Sequence, residues 1–166
     1  KSRRRNLAGR TGCGLCGVDS LDQAVRPIRK VAAPLSFGVD AVVRALDMLP
    51  ALQVLNGQTR SLHAAAWADG DGTIRLVRED VGRHNALDKL VGGLAREGVA
   101  PASGIMLITS RASVDLVQKT AMAGCGMLVA ASAPTAAAVE TAETAGICLV
   151  GLCRSDGFEI FSNPAR

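Results

Sequence analysis

From residue 62 onward, apolar and polar positions follow a grammar of short strands and one-sided helices. Leu62–Ala68 reads as a strand, Asp69-Gly-Asp-Gly72 as a turn and Thr73–Arg78 as a second strand, together a hairpin signature. Between His84 and Glu97, Ala86, Leu87, Leu90, Val91 and Leu94 recur on one side of a helix, with Gly98 as its stop. Gly104–Thr109 is a short unbroken apolar run, the mark of a strand covered on both faces. A helix over Ser113–Ala123, a strand over Met127–Ala131, and a helix over Thr135–Ala145 between Pro134 and Gly146 come next. Ile147–Leu152 reads as a further strand and Phe158–Phe161 as a last edge strand. Upstream, Phe37, Val39, Val42, Val43, Leu46 and Leu49 recur at helical spacing. Ser36 is the expected N-cap, Pro50 the expected terminator, and a second short helix runs to the turn signal Asn56-Gly57. Residues 1–20 show no periodicity and read as a flexible loop that carries two cysteines.

Repeated strand–helix–strand units require right-handed crossovers, which make the middle of the sheet parallel. The expected architecture is α/β, a three-layer α/β/α sandwich with a mixed sheet whose antiparallel part is the first hairpin. The expected boundaries are a loop and linker over residues 1–35 and an α/β/α domain over residues 36–166. The chain is 48% hydrophobic but holds only three Phe, one Trp and no Tyr, so Ala, Val, Leu and Ile must build the core. The first residue is not Met and lies inside a polar stretch, so a preceding segment is expected.

The net charge of +4 is local. Lys1, Arg3, Arg4, Arg5 and Arg10 fall in the first ten residues; without them fourteen bases face fifteen acids, a balance of −1. This basic arm reads as solvated rather than as a nucleic-acid site, because the aromatic stacking platform is missing. No apolar run approaches the roughly 20 residues of a membrane helix. Five cysteines, an odd number, argue against a secreted disulfide framework and for a reducing cytoplasm.

Chemistry concentrates first in Gly12-Cys13-Gly14-Leu15-Cys16-Gly17. A C-x-x-C pair lets each thiol lower the pKa of the other or resolve a covalent intermediate on it, and upstream arginines favour the thiolate. That suits attack on, or carriage of, sulfur by the Cys13/Cys16 pair. A zinc knuckle, a thioredoxin-type redox pair and a purely structural pair are the rival readings. The segment Arg78-Glu-Asp-Val-Gly-Arg-His-Asn-Ala-Leu-Asp-Lys89 packs seven ionisable side chains into twelve residues where a strand runs into a helix. Strand ends and helix N-termini of open α/β sheets are where anionic ligands bind, so Arg83, His84 and Lys89 are candidate ligand-binding residues. The equal alternative is a solvated helix start with internal charge pairs. Arg111 lies at a similar junction, Thr109–Ser113. His63 is either a satisfied core histidine or a site residue. Cys125 and Cys148 are expected to be inert buried thiols. The segment Gly151–Gly157 leaves the last parallel strand as a third loop beside the same crevice.

Taken together, Cys13-Gly-Leu-Cys16-Gly, His63-Ala-Ala, the Arg78–Lys89 run, Thr109-Ser-Arg-Ala-Ser113 and Val150-Gly-Leu-Cys-Arg154 resemble the formate dehydrogenase accessory sulfurtransferase family (FdhD) in order and spacing. The resemblance implies a cytidine-deaminase-like α/β/α fold and a homodimer. It implies a sulfur carrier that takes persulfide sulfur from a cysteine desulfurase. The sulfur would pass to the molybdenum or tungsten bis-pyranopterin guanine dinucleotide cofactor of formate dehydrogenase, and a guanine nucleotide such as GDP would be a binding analogue. By the same resemblance Cys13 carries the persulfide, and Leu152, Cys153, Arg154, Ser155, Asp156 and Gly157 contact the cofactor. The chain departs from the family at Thr59-Arg60-Ser61-Leu62, at Thr109-Ser110 and at Cys153, and the preceding domain that family members usually carry is expected to belong to a part upstream of this sequence. The deaminase zinc signature is absent, so no deaminase activity is expected. A non-catalytic cofactor-holding chaperone with a redox cysteine pair is the alternative reading.

Overall fold

The computed structural model describes residues 30–31, 37–154 and 157–163. Helix α1 spans Val39–Leu52 and α2 Val54–Thr59. Strand β1 (His63–Ala68) and β2 (Ile74–Asp80) form the hairpin, followed by α3 (Arg83–Glu97). Then β3 (Ile105–Ile108), α4 (Val114–Ala123), β4 (Met127–Ala130) and α5 (Ala136–Ala145) alternate. The chain closes with β5 (Cys148–Arg154) and β6 (Gly157–Ser162). The six strands form one sheet in the order β2-β1-β3-β4-β5-β6. β3, β4 and β5 are parallel; β1 is antiparallel to both β2 and β3, and β6 is antiparallel to β5. This is the expected mixed sheet of an α/β sandwich.

The sheet advances in one direction through β3, β4 and β5, so both right-handed crossovers place their helices on the same face. There α3, α4 and α5 pack Leu87, Leu90, Leu94, Leu116 and Val117 against Met106, Leu128 and Leu149. Each of these leucines, fully buried, contributes about 2 kcal/mol of apolar transfer. The other face carries α1, whose Ala41, Val42, Ala45 and Leu49 meet Ala64, Ala66 and Ala68 of β1. The period of two in β1 sends Ala65 and Trp67 to the three-helix face and the remaining alanines to α1. Those small side chains bring α1 close. Gly72, at φ +87 in the hairpin turn, packs so tightly that a Cβ there would lie 2.1 Å from Ala41 O.

Two helix ends follow the expected glycine stops, Gly98 and Gly146, in the left-handed region at φ 67 and 74, and Gly124 ends α4 in the same way at φ 82. Four details differ from expectation, the first being that Asn56-Gly57, the expected turn, lies inside α2, which ends at the left-handed Arg60 instead. Ser36 lies outside the described residues, and the N-cap of α1 is Gly38, with no side-chain cap. Pro50 sits inside α1 rather than ending it. A proline in the last turn removes one helix N–H without stopping the chain, and the direction changes instead at Gln53, with φ −84 and ψ 70. Gln53 is at once the C-cap of α1 and the N-cap of α2, which makes a sharp elbow. Finally, β5 extends past Leu152 to Arg154 and pairs as a hairpin with β6, Arg154 opposite Gly157.

Candidate functional site

The carboxyl ends of β3, β4 and β5 and the junctions that leave them converge at one end of the sheet. Backbone hydrogen bonds stitch these junctions together. Ala131 N donates to Ile108 O at 2.9 Å, Thr135 N to Ala112 O at 3.1 Å, and Leu152 N to Ser132 O at 3.5 Å. Thr109 joins them to the hairpin: Ala64 N donates to its Oγ1 at 2.9 Å. Gly151 suits this closeness, since a Cβ there would meet Pro134 Cδ at 3.0 Å and Phe161 Cε2 at 3.1 Å, so that both neighbours would have to give way. Leu152 follows at φ 52, a left-handed conformation that strains a branched residue, and the β5–β6 register shifts there. Such strain is held where a strand end is shaped for a task.

On the α1 face this end opens into a pocket of about 360 Å³, lined by Leu46, Asp47, Leu49, Pro50, Gln53, Thr109, Ala131 and Cys153. Cys153 donates its thiol to Ala130 O at 3.3 Å, and burial pushes its pKa up to about 11, so it stays neutral near pH 7. Cys125 is likewise raised to about 11 by burial and bonded to Met127 O at 3.2 Å. Cys125 and Cys148 are both buried, as expected of inert thiols.

On the opposite face the charged run divides into two uses. Asp80 accepts from Gly82 N at 2.8 Å and Asn85 Nδ2 at 3.2 Å, and pairs with Lys89 Nζ at 2.5 Å. The bond from Lys89, then that from Gly82, hold the Asp80 carboxyl at about 2. Lys89 also donates to Glu79 O at 3.1 Å, so it is engaged in bracing α3 against β2. Glu79, one residue earlier and therefore pointing to the other face, accepts from Leu55 N at 2.9 Å and Asn56 N at 2.8 Å. It satisfies free N–H groups in the first turn of α2. Arg78 lies 4.0 Å from Glu97 at the sheet edge. These four residues hold the walls of the site.

The remaining residues are placed differently. His84 is buried, with Nε2 3.5 Å from Ser113 Oγ, which ties the first turn of α3 to the N-cap of α4. Lys119 reaches across from α4 to Asp88 at 2.5 Å and His84 O at 3.5 Å. Arg83 is half-buried and Arg111 exposed. Ser110 Oγ donates to Arg111 O at 3.2 Å, but neither guanidinium group has a hydrogen bond or ion pair among the described residues, which leaves both open to an anion at these paired helix starts. His63 begins β1 opposite Asp80 and is half-buried.

The structure thus brings His63, Arg83, His84, Arg111, Leu152 and Cys153 to one end of the sheet, with Lys89 behind them as a brace. Arg154 and Gly157 are hairpin strand residues rather than loop residues. Cys13, Cys16, Ser155 and Asp156 lie outside the described residues. The residues missed by sequence reasoning are Leu46, Asp47, Pro50 and Gln53 of α1 and the elbow. Their only local signal is a pair of polar positions on a half-exposed helix, which looks like ordinary solvent contact. No described helix is long and apolar enough to cross a membrane.

The model of the FdhD/NarQ family matches residues 1–166. The chain is 50% identical over 166 residues to a sulfur carrier protein FdhD of Bordetella petrii, covering all of this chain and 60% of that protein. Against the sulfur carrier protein FdhD of Cupriavidus necator it is 52% identical, again over all of this chain and 58% of the relative. The chain therefore spans about 60% of the length of the curated relatives it matches. Its fold superposes on the crystal structure of a Desulfotalea psychrophila protein assigned as a formate dehydrogenase accessory protein. That match has a TM-score of 0.70 and 25% identity, covering 82% of this chain and 59% of the other.

Proposed function

The chain belongs to the FdhD/NarQ family, and from that premise we propose that it carries sulfur as a persulfide on Cys13 for the maturation of formate dehydrogenase. The donor is a cysteine desulfurase. The recipient is the molybdenum or tungsten bis-pyranopterin guanine dinucleotide cofactor, which is the substrate of the transfer. The observation that carries this reading is that the family match runs through the segment holding Cys13 and Cys16, among relatives named as sulfur carriers.

The chemistry balances. Cys13 thiolate attacks the outer sulfur of the donor persulfide; the donor's S–S bond breaks and its cysteine leaves as thiolate. Cys16 thiolate then attacks the inner sulfur, the Sγ of Cys13. The Cys13–Cys16 disulfide forms and hydrosulfide departs to the metal, carrying the two electrons that the thiol pair gives up. A cellular thiol restores the pair. The crevice at the strand ends supplies the binding side of the reaction: two free arginines at helix starts for phosphates and a largely apolar pocket for a ring. A homodimer and a cytoplasmic setting belong to the same reading.

The test is incubation with a cysteine desulfurase and cysteine, followed by intact mass and peptide mapping. An addition of about 32 Da, one sulfur atom, is expected on Cys13 and is removed by reductant. Cys13→Ala should abolish both the addition and formate dehydrogenase maturation while GDP binding persists. Maturation by the Cys13→Ala protein would overturn the proposal.

A further inference from the structure

Four polar side chains line the pocket under α1: Asp47, Gln53, Thr109 and Cys153. Three of them have their roles set. Thr109 Oγ1 exchanges bonds with Ala64, accepting from its N at 2.9 Å and donating to its O at 3.4 Å. Cys153 is a neutral thiol bonded to Ala130 O. Asp47 is an exposed carboxylate at the rim, which repels phosphate and leaves this compartment to an uncharged part of a ligand. Gln53 remains.

The orientation of Gln53 follows from a backbone group that can only donate. Leu62 N–H donates to Asn56 Oδ1 at 3.1 Å, which fixes the amide of Asn56. Its Nδ2 consequently faces Gln53 Oε1, at 3.5 Å. Gln53 Oε1 is thereby turned toward Asn56, and Nε2, a donor only, is the end of the amide left for the pocket that Gln53 lines. The elbow that carries Gln53 is held from β2 by the Glu79 carboxylate through Leu55 N and Asn56 N. Asn56, and with it the direction of Gln53, is fixed in place before any ligand arrives.

From this geometry we infer that Gln53 is the specificity-determining residue of the pocket, donating from Nε2 to the ring carbonyl of a planar lactam heterocycle. Guanine and pterin share that edge; adenine places an amino group there and would present donor to donor. A cavity of about 360 Å³ is at the small end for ligand sites and takes one bicyclic ring rather than a dinucleotide. The inference rests on the reading that this crevice receives a guanine dinucleotide cofactor, and it says which edge is read and by which atom. Phosphates would then lie outside the pocket, away from Asp47.

The experiment is calorimetric titration of the full chain with GDP, ADP and pterin, on wild type, Gln53→Glu and Asn56→Asp, with thermal unfolding as the check on folding. Wild type should prefer a lactam probe to ADP by roughly tenfold, the value of one well-placed hydrogen bond. Preference for GDP places guanine in the pocket; binding of pterin alone places the pterin end there. Gln53→Glu replaces the donor by an acceptor and should lose the lactam probe by tenfold or more. Asn56→Asp keeps the acceptor for Leu62 N but draws Gln53 Nε2 to itself, turning Oε1 to the pocket, so preference should move toward ADP. A merely structural role would weaken all probes equally. Lactam binding with the same preference in all three proteins would overturn the role of Gln53 alone. No binding of GDP or pterin by folded wild type would overturn both this inference and the cofactor reading.

Discussion

On one face of the sheet α1 and α2 stand over the strand ends; on the other, α3 and α4 bring their N-termini to the same edge. The first wall is largely carbon, with Asp47 at its rim, and it encloses a pocket. The second is built of Arg83, His84, Arg111 and Lys119 around helix starts, and it has open positive charge. The two walls differ because each is anchored to β2 by one of two neighbouring acids. Side chains alternate across a strand, so Glu79 reaches the first turn of α2 while Asp80 reaches Gly82, Asn85 and Lys89 of α3. Two adjacent carboxylates thus hold the pocket wall and the arginine-bearing wall at one sheet end. The first wall also carries five of the large exposed apolar side chains, Val39, Val43, Leu52, Val54 and Leu55, so it is less buried and should be the easier one to loosen.

The comparison is broken most severely at Gly72. Its φ of +87 and the 2.1 Å approach to Ala41 O leave no room for a methyl. Gly72→Ala should cost about 3 kcal/mol or more, combining backbone strain and displacement of α1. Urea unfolding would give the loss. Hydrogen exchange should show α1 amides opening while those of α3 and α4 stay protected. Equal opening on both faces would mean that the two walls are one cooperative unit. Gly93 on α3 supplies the control. There a Cβ meets Leu76 Cδ2 at 2.8 Å and Arg78 Nη2 at 3.2 Å, ends of side chains rather than backbone.

Next in size is Glu79→Ala. It leaves Leu55 N and Asn56 N without their carboxylate, a loss of about 1–2 kcal/mol by analogy with helix-cap removal. Because the elbow positions Gln53, affinity for GDP should fall while stability of the three-helix face changes little. Faster exchange at Leu55 and Asn56, with α3 unaltered, is the expected signature. If α3 loosens as well, the side chains of β2 do not act on the two walls separately.

How far this was legible in the sequence depended on range. The strands and α3–α5 were readable because periodicity and glycine stops are local properties. The elbow at Gln53 was not, because Pro50 looked like a terminator, whereas a proline in the last turn removes one N–H and lets the helix run on to Leu52. The charged run reads equally well as ligand-binding or as a helix start with internal charge pairs, and the structure divides it between the two. In the structure Arg78, Glu79, Asp80 and Lys89 are structural braces, and Arg83 is the residue left free; spacing along the chain does not reveal which acids reach which helix. The pocket itself joins residues from 46 to 153 in the chain, a juxtaposition that no local pattern encodes. The hairpin after Leu152 looked like a loop for the same reason, since its strand character comes from pairing with β6.

The smallest effect is expected at the second anchor, where pH provides the probe. The Asp80 carboxyl is depressed to about 2 from the ordinary 3.8, first by the bond from Lys89 and then by that from Gly82 N. A depressed carboxylate contributes stability that is fully present above its unfolded pKa and lost as pH falls through its folded one. The window is therefore pH 4 down to 2. Because Asp80 lies at the surface, solvent screens the pair, and its effect on global stability should be slight. Asp80→Asn should flatten whatever acid slope the wild type shows in that window, and wild type and variant should converge near pH 2. The amides of α3's first turn should exchange faster in the variant at neutral pH, with those of α2 unchanged. That result would complete the comparison, because neutralising either acid would then release one wall and spare the other. Parallel acid slopes in both proteins would instead mean that α3 is held by Leu87, Leu90 and Leu94 in the core alone, with Asp80 contributing only to the shape of the edge.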